Sequence, residues 1–177
     1  MSDRMIYKIF SRFVFALVIS LIYIEFTYFL PIIPNLVDHL HTSKHDVQLA
    51  MPILLIGFAL SGFLFGALSD KIGTKKTFCI QFLIGSLGFL VCALSNNISM
   101  FLFGMLLQGF GANFTIFSKY INESFSGSAV SFISKLAFIG ILVQPVVATL
   151  TGYAASYDLW RMVFFILSAF SLLLFIM

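Results

Sequence analysis

Six runs of mostly apolar residues, 13–33, 47–68, 78–94, 100–118, 129–152 and 160–177, divide this chain. Each comes close to the ~20 residues that an α-helix, rising ~1.5 Å per residue, needs to cross a hydrocarbon layer ~30 Å thick. Only short polar connections separate most of them, the briefest being 95–99. Charged residues make up 10% of the chain, against ~25% in soluble domains, and 60% of it is hydrophobic, including 23 phenylalanines. That surplus must face lipid, where each backbone polar group needs a partner inside the protein and a helix supplies one. The expected fold is an all-α membrane protein of six transmembrane helices with the lipid bilayer as its main partner. The formal net charge of +3 is dispersed and offers no patch for nucleic acid.

Cationic loops stay on the cytoplasmic side, so Lys and Arg set the orientation. Arg4, Lys8 and Arg12 precede the first run, Lys71, Lys75 and Lys76 separate the second from the third, and Lys119 and Lys135 flank the turn between the fourth and fifth. Eight of the ten basic residues thus share one side, with Lys44 and Arg161 opposite. A cytoplasmic N terminus follows, and the first run is too long for a cleavable signal peptide. The sixth run is still apolar at Met177, with no basic flank, and reads as unfinished: a truncated or split product rather than a designed six-helix protein. Cys79 and Cys92 fall 13 residues apart in one expected helix, or ~20 Å, which excludes a disulfide between them.

The most specific stretch lies between the second and third runs: Gly66-Ala67-Leu68-Ser69-Asp70-Lys71-Ile72-Gly73-Thr74-Lys75-Lys76. It resembles the signature G-x-L-a-D-[RK]-x-G-[RK]-[RK] of the major facilitator superfamily, with Gly66, Leu68, Asp70, Lys71, Gly73 and Lys75 in register and Thr74 at a usually basic position. Gly66 allows a close helix approach and Gly73 a tight backbone turn. Three further segments are similar to the bicyclomycin-resistance type of drug and proton antiporters: Phe29-Leu30-Pro31-Ile32-Ile33-Pro34, Leu107-Gln108-Gly109-Phe110-Gly111-Ala112 and Leu159-Trp160-Arg161-Met162-Val163-Phe164.

The resemblance implies a bacterial inner-membrane transporter and one half of its fold, a six-helix bundle of 3+3 inverted repeats with the C-terminal half absent. Its partners would be protons, a small lipophilic substrate and a second six-helix half, either a separate chain or a second copy. Asp70 would latch the two halves on the cytoplasmic side. Multidrug efflux by proton antiport is the leading function. The alternatives are a non-transporting remnant of a disrupted gene and a membrane subunit that binds another transporter through the Gly62 and Gly66 face.

Three departures from the family pattern bear on mechanism. Met105 stands where these antiporters place an arginine three residues before Gln108. On the fifth helix the pattern G-x8-G-x3-G-P-x2-G-G meets Ser131, Gly140, Gln144, Pro145, Ala148 and Thr149. Gly140 and Pro145 match, and the proline predicts a bend there. On the first helix Thr27 replaces an aspartate, but Glu25 lies nearby as the one clear acid deep within an expected helix. An ionised carboxylate at that depth costs several kcal/mol, so Glu25 faces a cavity or stays protonated, as proton exchange requires. Its bland alternative is a neutral carboxyl bonded to a neighbouring helix.

Gln108 and Asn113 on the fourth helix could line the same cavity or bond across helices. Tyr23, Tyr28 and Phe29 with Phe58, Phe63 and Phe65 could form an aromatic wall, although most of this content is expected to be core or lipid-facing, and Trp160 fits an interfacial anchor. His39, His41 and His45 with Asp38 and Asp46 invite a metal reading, but a polar external loop is the commoner explanation and no metal or cofactor is expected. Enzymatic chemistry has no support. No nucleophile is paired with a base, and Gly109 with Gly111 lies inside an apolar helix instead of following a strand.

Overall fold

A computed structural model describes residues 3–111, 114–124 and 129–176. The elements in order are α1 (Asp3–Ile24), a 3-10 turn (Leu30–Ile32), α2 (Ile33–His39), α3 (Lys44–Gln48), α4 (Ala50–Ile72), α5 (Thr74–Leu94), α6 (Ile98–Gly111), α7 (Phe114–Ser124), α8 (Ala129–Ser156) and α9 (Trp160–Ile176). Among the described residues there is no strand. Among the described residues four stretches are long and apolar enough to cross a bilayer: Lys44–Ile72, Thr74–Leu94, Ile98–Glu123 and Ser131–Ser156; Val14–Ile24 and Trp160–Ile176 are apolar but shorter.

The first helix departs from the single rod expected over 13–33. It ends at Ile24, and the chain then turns through 25–29 before entering two short helical pieces. Pro31 and Pro34 do not terminate it, because each stands in the opening positions of a new piece. Proline is tolerated there, where its missing N–H would have no partner in any case. The turn leaves Glu25 just past the end of α1.

Side chains are distributed as lipid demands. In α4 the buried positions are Ala50, Leu54, Gly57, Ser61, Phe65 and Ser69, four or three residues apart, whereas Leu55, Ile56, Leu60, Phe63 and Leu64 face outward. α9 repeats the arrangement, with Ser168 and Ser171 inside and Ile166, Leu172 and Leu173 outside. Small and hydroxyl residues mark the interior, whereas large residues stand on both sides, Leu54, Phe65, Leu167 and Leu174 being buried too. An outer surface of large apolar residues needs hydrocarbon or another apolar surface against it, not water.

α5 sits at the centre, packed against α6 and α9, while α4 lies on α6 and α8 lies on α1. Glycines bring the first set backbone to backbone. A Cβ added to Gly109 would fall 2.9 Å from the Gly57 Cα of α4, and one added to Gly85 would fall 2.9 Å from the Gly111 Cα of α6. Between α5 and α9, Ser86 Oγ donates to the Ser168 carbonyl at 3.0 Å, Ser168 Oγ returns a bond to the Ser86 carbonyl at 2.9 Å, and Ser171 Oγ donates to the Phe82 carbonyl at 3.0 Å. Arg161 closes the end of α5 by donating to the Ala93 and Ser95 carbonyls at 2.9 and 2.8 Å and to Asn96 Oδ1 at 3.2 Å. Those carbonyls have no partner within the helix.

The close approach expected at Gly66 is not made within the bundle, since a Cβ there would meet nothing within 4 Å. The two glycines therefore make opposite predictions. Gly109→Val should push α4 from α6, cost about 1–3 kcal/mol of overpacking and lower the unfolding temperature in mild detergent. Gly66→Ala should leave that temperature unchanged; equal losses would show that the glycine contacts do not hold the helices together.

Candidate functional site

Polar groups at membrane depth converge where the turn after α1 meets α5 and α6. The Tyr28 hydroxyl donates to Gln108 Oε1 at 2.6 Å, and Gln108 Nε2 lies 3.1 Å from Cys92 Sγ. All three side chains are buried. Met105 Sδ approaches the same hydroxyl at 3.7 Å, so a thioether fills the position where the resemblance leads one to expect a guanidinium. Glu25 completes the cluster at 1% exposure, within electrostatic reach of Tyr28. Its Oε2 has no hydrogen-bond partner, and an orphaned buried carboxyl oxygen is costly unless something transient satisfies it. Asn113 lies outside the described residues.

Aromatic rings fix this cluster in place. Tyr28 meets Phe164 edge-on at 5.3 Å between centroids, Phe164 meets Phe101 at 5.6 Å and Trp160 at 6.1 Å. Tyr28, Phe29 and Phe65 are therefore core residues, not parts of an open wall, and Phe63 points outward at 80% exposure. Trp160 is likewise buried and has the Arg161 guanidinium over its ring at 4.7 Å. Two residues of the expected wall, Tyr23 and Phe58, line a groove of about 250 Å³ between α1, α4, α7 and α8, together with Ile22, Phe26, Phe114 and Gln144. Phe26 and Phe58 meet edge-on across it at 6.0 Å. Gly140 lies against the Tyr23 ring, leaving no room for a larger residue, while Pro145 sits within the continuous α8 with its carbonyl accepting from Thr149 Oγ1 at 2.8 Å.

At the other end of α4 the glycine and aspartate motif forms a tight turn. Gly73 separates α4 from α5 at φ +90°, a conformation that favours glycine. Asp70 pairs with Lys119 of α7, whose ammonium also donates to Ser69 Oγ at 2.9 Å. Thr74, standing at the usually basic position, donates to Glu123 Oε1 at 2.8 Å. Leu68 packs against the core, and Lys71 and Lys75 are exposed. Lys119 and Glu123, missed by motif reasoning, are one helical turn apart on α7, and that spacing of opposite charges was the available signal.

The histidine cluster is divided between two local structures. His39 Nε2 lies 2.7 Å from Asp158 Oδ1, which also accepts from Asn35 Nδ2 at 3.2 Å. Asp46 serves the start of α3, where its backbone N–H donates to Ser43 Oγ at 3.1 Å. Among the described residues no three His, Cys, Asp or Glu side chains come together as metal ligands.

Two measurements check these contacts. Tyr28→Phe should strand the buried Gln108 carbonyl oxygen and cost about 1–3 kcal/mol of stability, read as a lower unfolding temperature. The His39 hydrogen bond, then that of Asn35, holds the Asp158 carboxyl below the ordinary aspartate range. Its stabilisation is thus complete above the unfolded value of ~3.9 and lost as the pH falls through the lower, folded value. The stability gap between wild type and Asp158→Asn should accordingly persist at neutral pH and close in acid below about pH 3.9.

A family model described as Major Facilitator Superfamily matches residues 15–177. Over 151 residues the chain is 30% identical to the Uncharacterized MFS-type transporter YdgK of Bacillus subtilis, covering 82% of this chain and 38% of that protein. It is 25% identical over 147 residues to the Multidrug resistance protein MdtL of Salmonella typhimurium, covering 80% of this chain and 36% of the relative. The chain thus spans little more than a third of the length of these curated relatives.

Proposed function

The chain belongs to the major facilitator superfamily, a family of transporters and not of enzymes, and from that premise we propose that it forms one six-helix half, with 3+3 inverted repeats, of a proton-coupled efflux antiporter for small lipophilic molecules. The observation that carries the reading is Glu25, an acid at membrane depth, 1% exposed, with one oxygen unpartnered and no cation beside it among the described residues. In apolar surroundings such a group holds its proton, and it yields the proton when water or a substrate reaches it. Release changes the charge beside Tyr28, which ties protonation to the packing of the turn after α1 against α6. The printed name of the Salmonella relative supports a multidrug substrate class.

The second half, on a separate chain or in a second copy, supplies the opposite wall of the pathway, and the two rock about a central site. Gly66 and the outward face of α4 are available for that contact. The turn at Gly73 lies in the cytoplasm of an inner-membrane protein with a cytoplasmic N terminus, because Lys71, Lys75, Lys76, Lys119 and Lys135 all lie at that end. Asp70 contributes to the latch between the halves there, and its pair with Lys119, which lies within this same bundle, holds the carboxylate at that end.

The test uses everted membrane vesicles containing the chain and its second half, with a fluorescent lipophilic dye as substrate and a pH-sensitive dye as proton reporter. Wild type should release protons when substrate is added. Glu25→Gln, which mimics the protonated carboxyl, should abolish that release and at least ~100-fold of gradient-driven uptake while retaining dye exchange without a gradient. Unchanged proton release in Glu25→Gln would remove the coupling role.

A further inference from the structure

Resting on that transport reading, we propose that Gln144 determines substrate specificity, its amide reading a hydrogen-bonding group on an uncharged aromatic molecule held in the groove between α1, α4, α7 and α8. The groove is lined by Tyr23, Phe26, Phe58 and Phe114, with Ile22 and Gln144. Among the described residues no acid or base lines it, so they have nothing with which to select a charged ring. Its volume of about 250 Å³ is just under the ~300–1,000 Å³ of typical ligand pockets, enough for a ring system and not for a large drug in full. Aromatic faces and edges on several sides favour a planar aromatic occupant.

Gln144 supplies an amide to this wall, beside the phenol of Tyr23. Its side chain is half-buried on α8 and makes no hydrogen bond with any other described residue. Glutamines at membrane depth ordinarily bond across to a neighbouring helix, as Gln108 does to Tyr28 and Gln81 to Ser61 at 3.1 Å. A free amide carries a donor and an acceptor and loses free energy in hydrocarbon until both are met. The position is one where the family pattern has glycine, immediately before Pro145. The backbone therefore does not require a side chain here, and the amide is an addition to the wall. An occupant with a carboxamide next to an aromatic ring, which offers a donor and an acceptor together, would satisfy both the rings and the amide.

The probe is 4-benzoylbenzamide, an uncharged photoreactive aromatic carboxamide, compared with benzophenone, which shares its rings and lacks the amide. The chain, reconstituted in lipid nanodiscs with its second half, is irradiated with each, and labelled peptides are mapped by mass spectrometry. Labelling by the carboxamide should centre on the peptides carrying Phe26 and Phe58 and exceed that by benzophenone by about fivefold, the worth of one net hydrogen bond. Gln144→Gly, which restores the family residue without adding bulk, should reduce the two probes to equal labelling. Gln144→Asn, keeping the amide on a shorter arm, should retain part of the preference.

Equal labelling of wild type by both probes, an unchanged preference in Gln144→Gly, or labelling confined to peptides of α9, which does not line the groove, would overturn the proposal. So would a crosslink of Gln144 to a helix of the second half, which would make the amide a seam contact. Carboxamide-selective labelling with no proton release in vesicles would refute the antiport reading alone, whereas proton release without selective labelling would refute the assignment of Gln144 alone.

Discussion

Close packing of helix backbones, joined by the hydrogen bonds that this closeness permits, holds the protein together, because hydrocarbon supplies no hydrophobic driving force between helices. Gly57 against Gly109 and Gly85 against Gly111 bring α4, α5 and α6 into backbone contact. At that separation short side chains reach across: Gln81 Nε2 to Ser61 Oγ, Ser61 Oγ to the Phe110 carbonyl at 3.3 Å, and the paired serines 86 and 168 between α5 and α9. The position of the functional cluster depends on this frame. Gln108 and Met105 are held at fixed depth by the glycines that flank them on α6, and Tyr28 has to meet them wherever they stand.

The sequence motifs divide accordingly into architecture and chemistry. In Leu107-Gln108-Gly109-Phe110-Gly111, the two glycines are contact surfaces for α4 and α5, and the glutamine between them is the polar group that they position. In Trp160-Arg161, the ring is buried beneath Phe164 and the guanidinium covers the carbonyls that end α5. Neither residue reaches the cluster or the groove. Arg161 is thus accounted for as a helix cap, which explains a basic residue on the side of the membrane where few are found.

What could be read from the residues alone was the set of apolar runs and the turn at Gly73; Glu25 is buried as expected, but in a turn past the end of α1 and not within a helix. Which face of each helix turns inward was not legible from hydrophobicity, because α4, α5 and α6 are apolar on all sides and their large residues carry no directional signal. The informative residues were the sparse small and polar ones, Ser61, Gln81, Ser86, Ser168 and Ser171, whose three- and four-residue spacing marks the interior. The aromatic wall was misplaced for the same reason: Tyr28 and Phe29 follow the end of α1, and the turn through 25–29 rotates them into the core while leaving Tyr23 and Phe26 at the groove. A break in a helix whose apolar run is uninterrupted leaves no trace in hydropathy. Asp70 was expected in a latch, and its pairing with Lys119 inside this same bundle adds a neighbour that the motif does not contain.

The glycine contacts also decide where the bundle is stiff. Backbone pressed on backbone has no rotamers to relax, so α4, α5 and α6 behave mechanically as one slab, to which the serine ladder fastens α9. α8 instead leans on α1, largely through the Tyr23 ring lying in the notch at Gly140, and α1 meets α7 through the rings of Phe15, Phe117 and Tyr120. Rings can slide and tilt where backbones cannot. The compliant seam of the molecule therefore runs between the α1 and α8 pair and the slab, and it passes beside both the lone carboxyl and the aromatic groove.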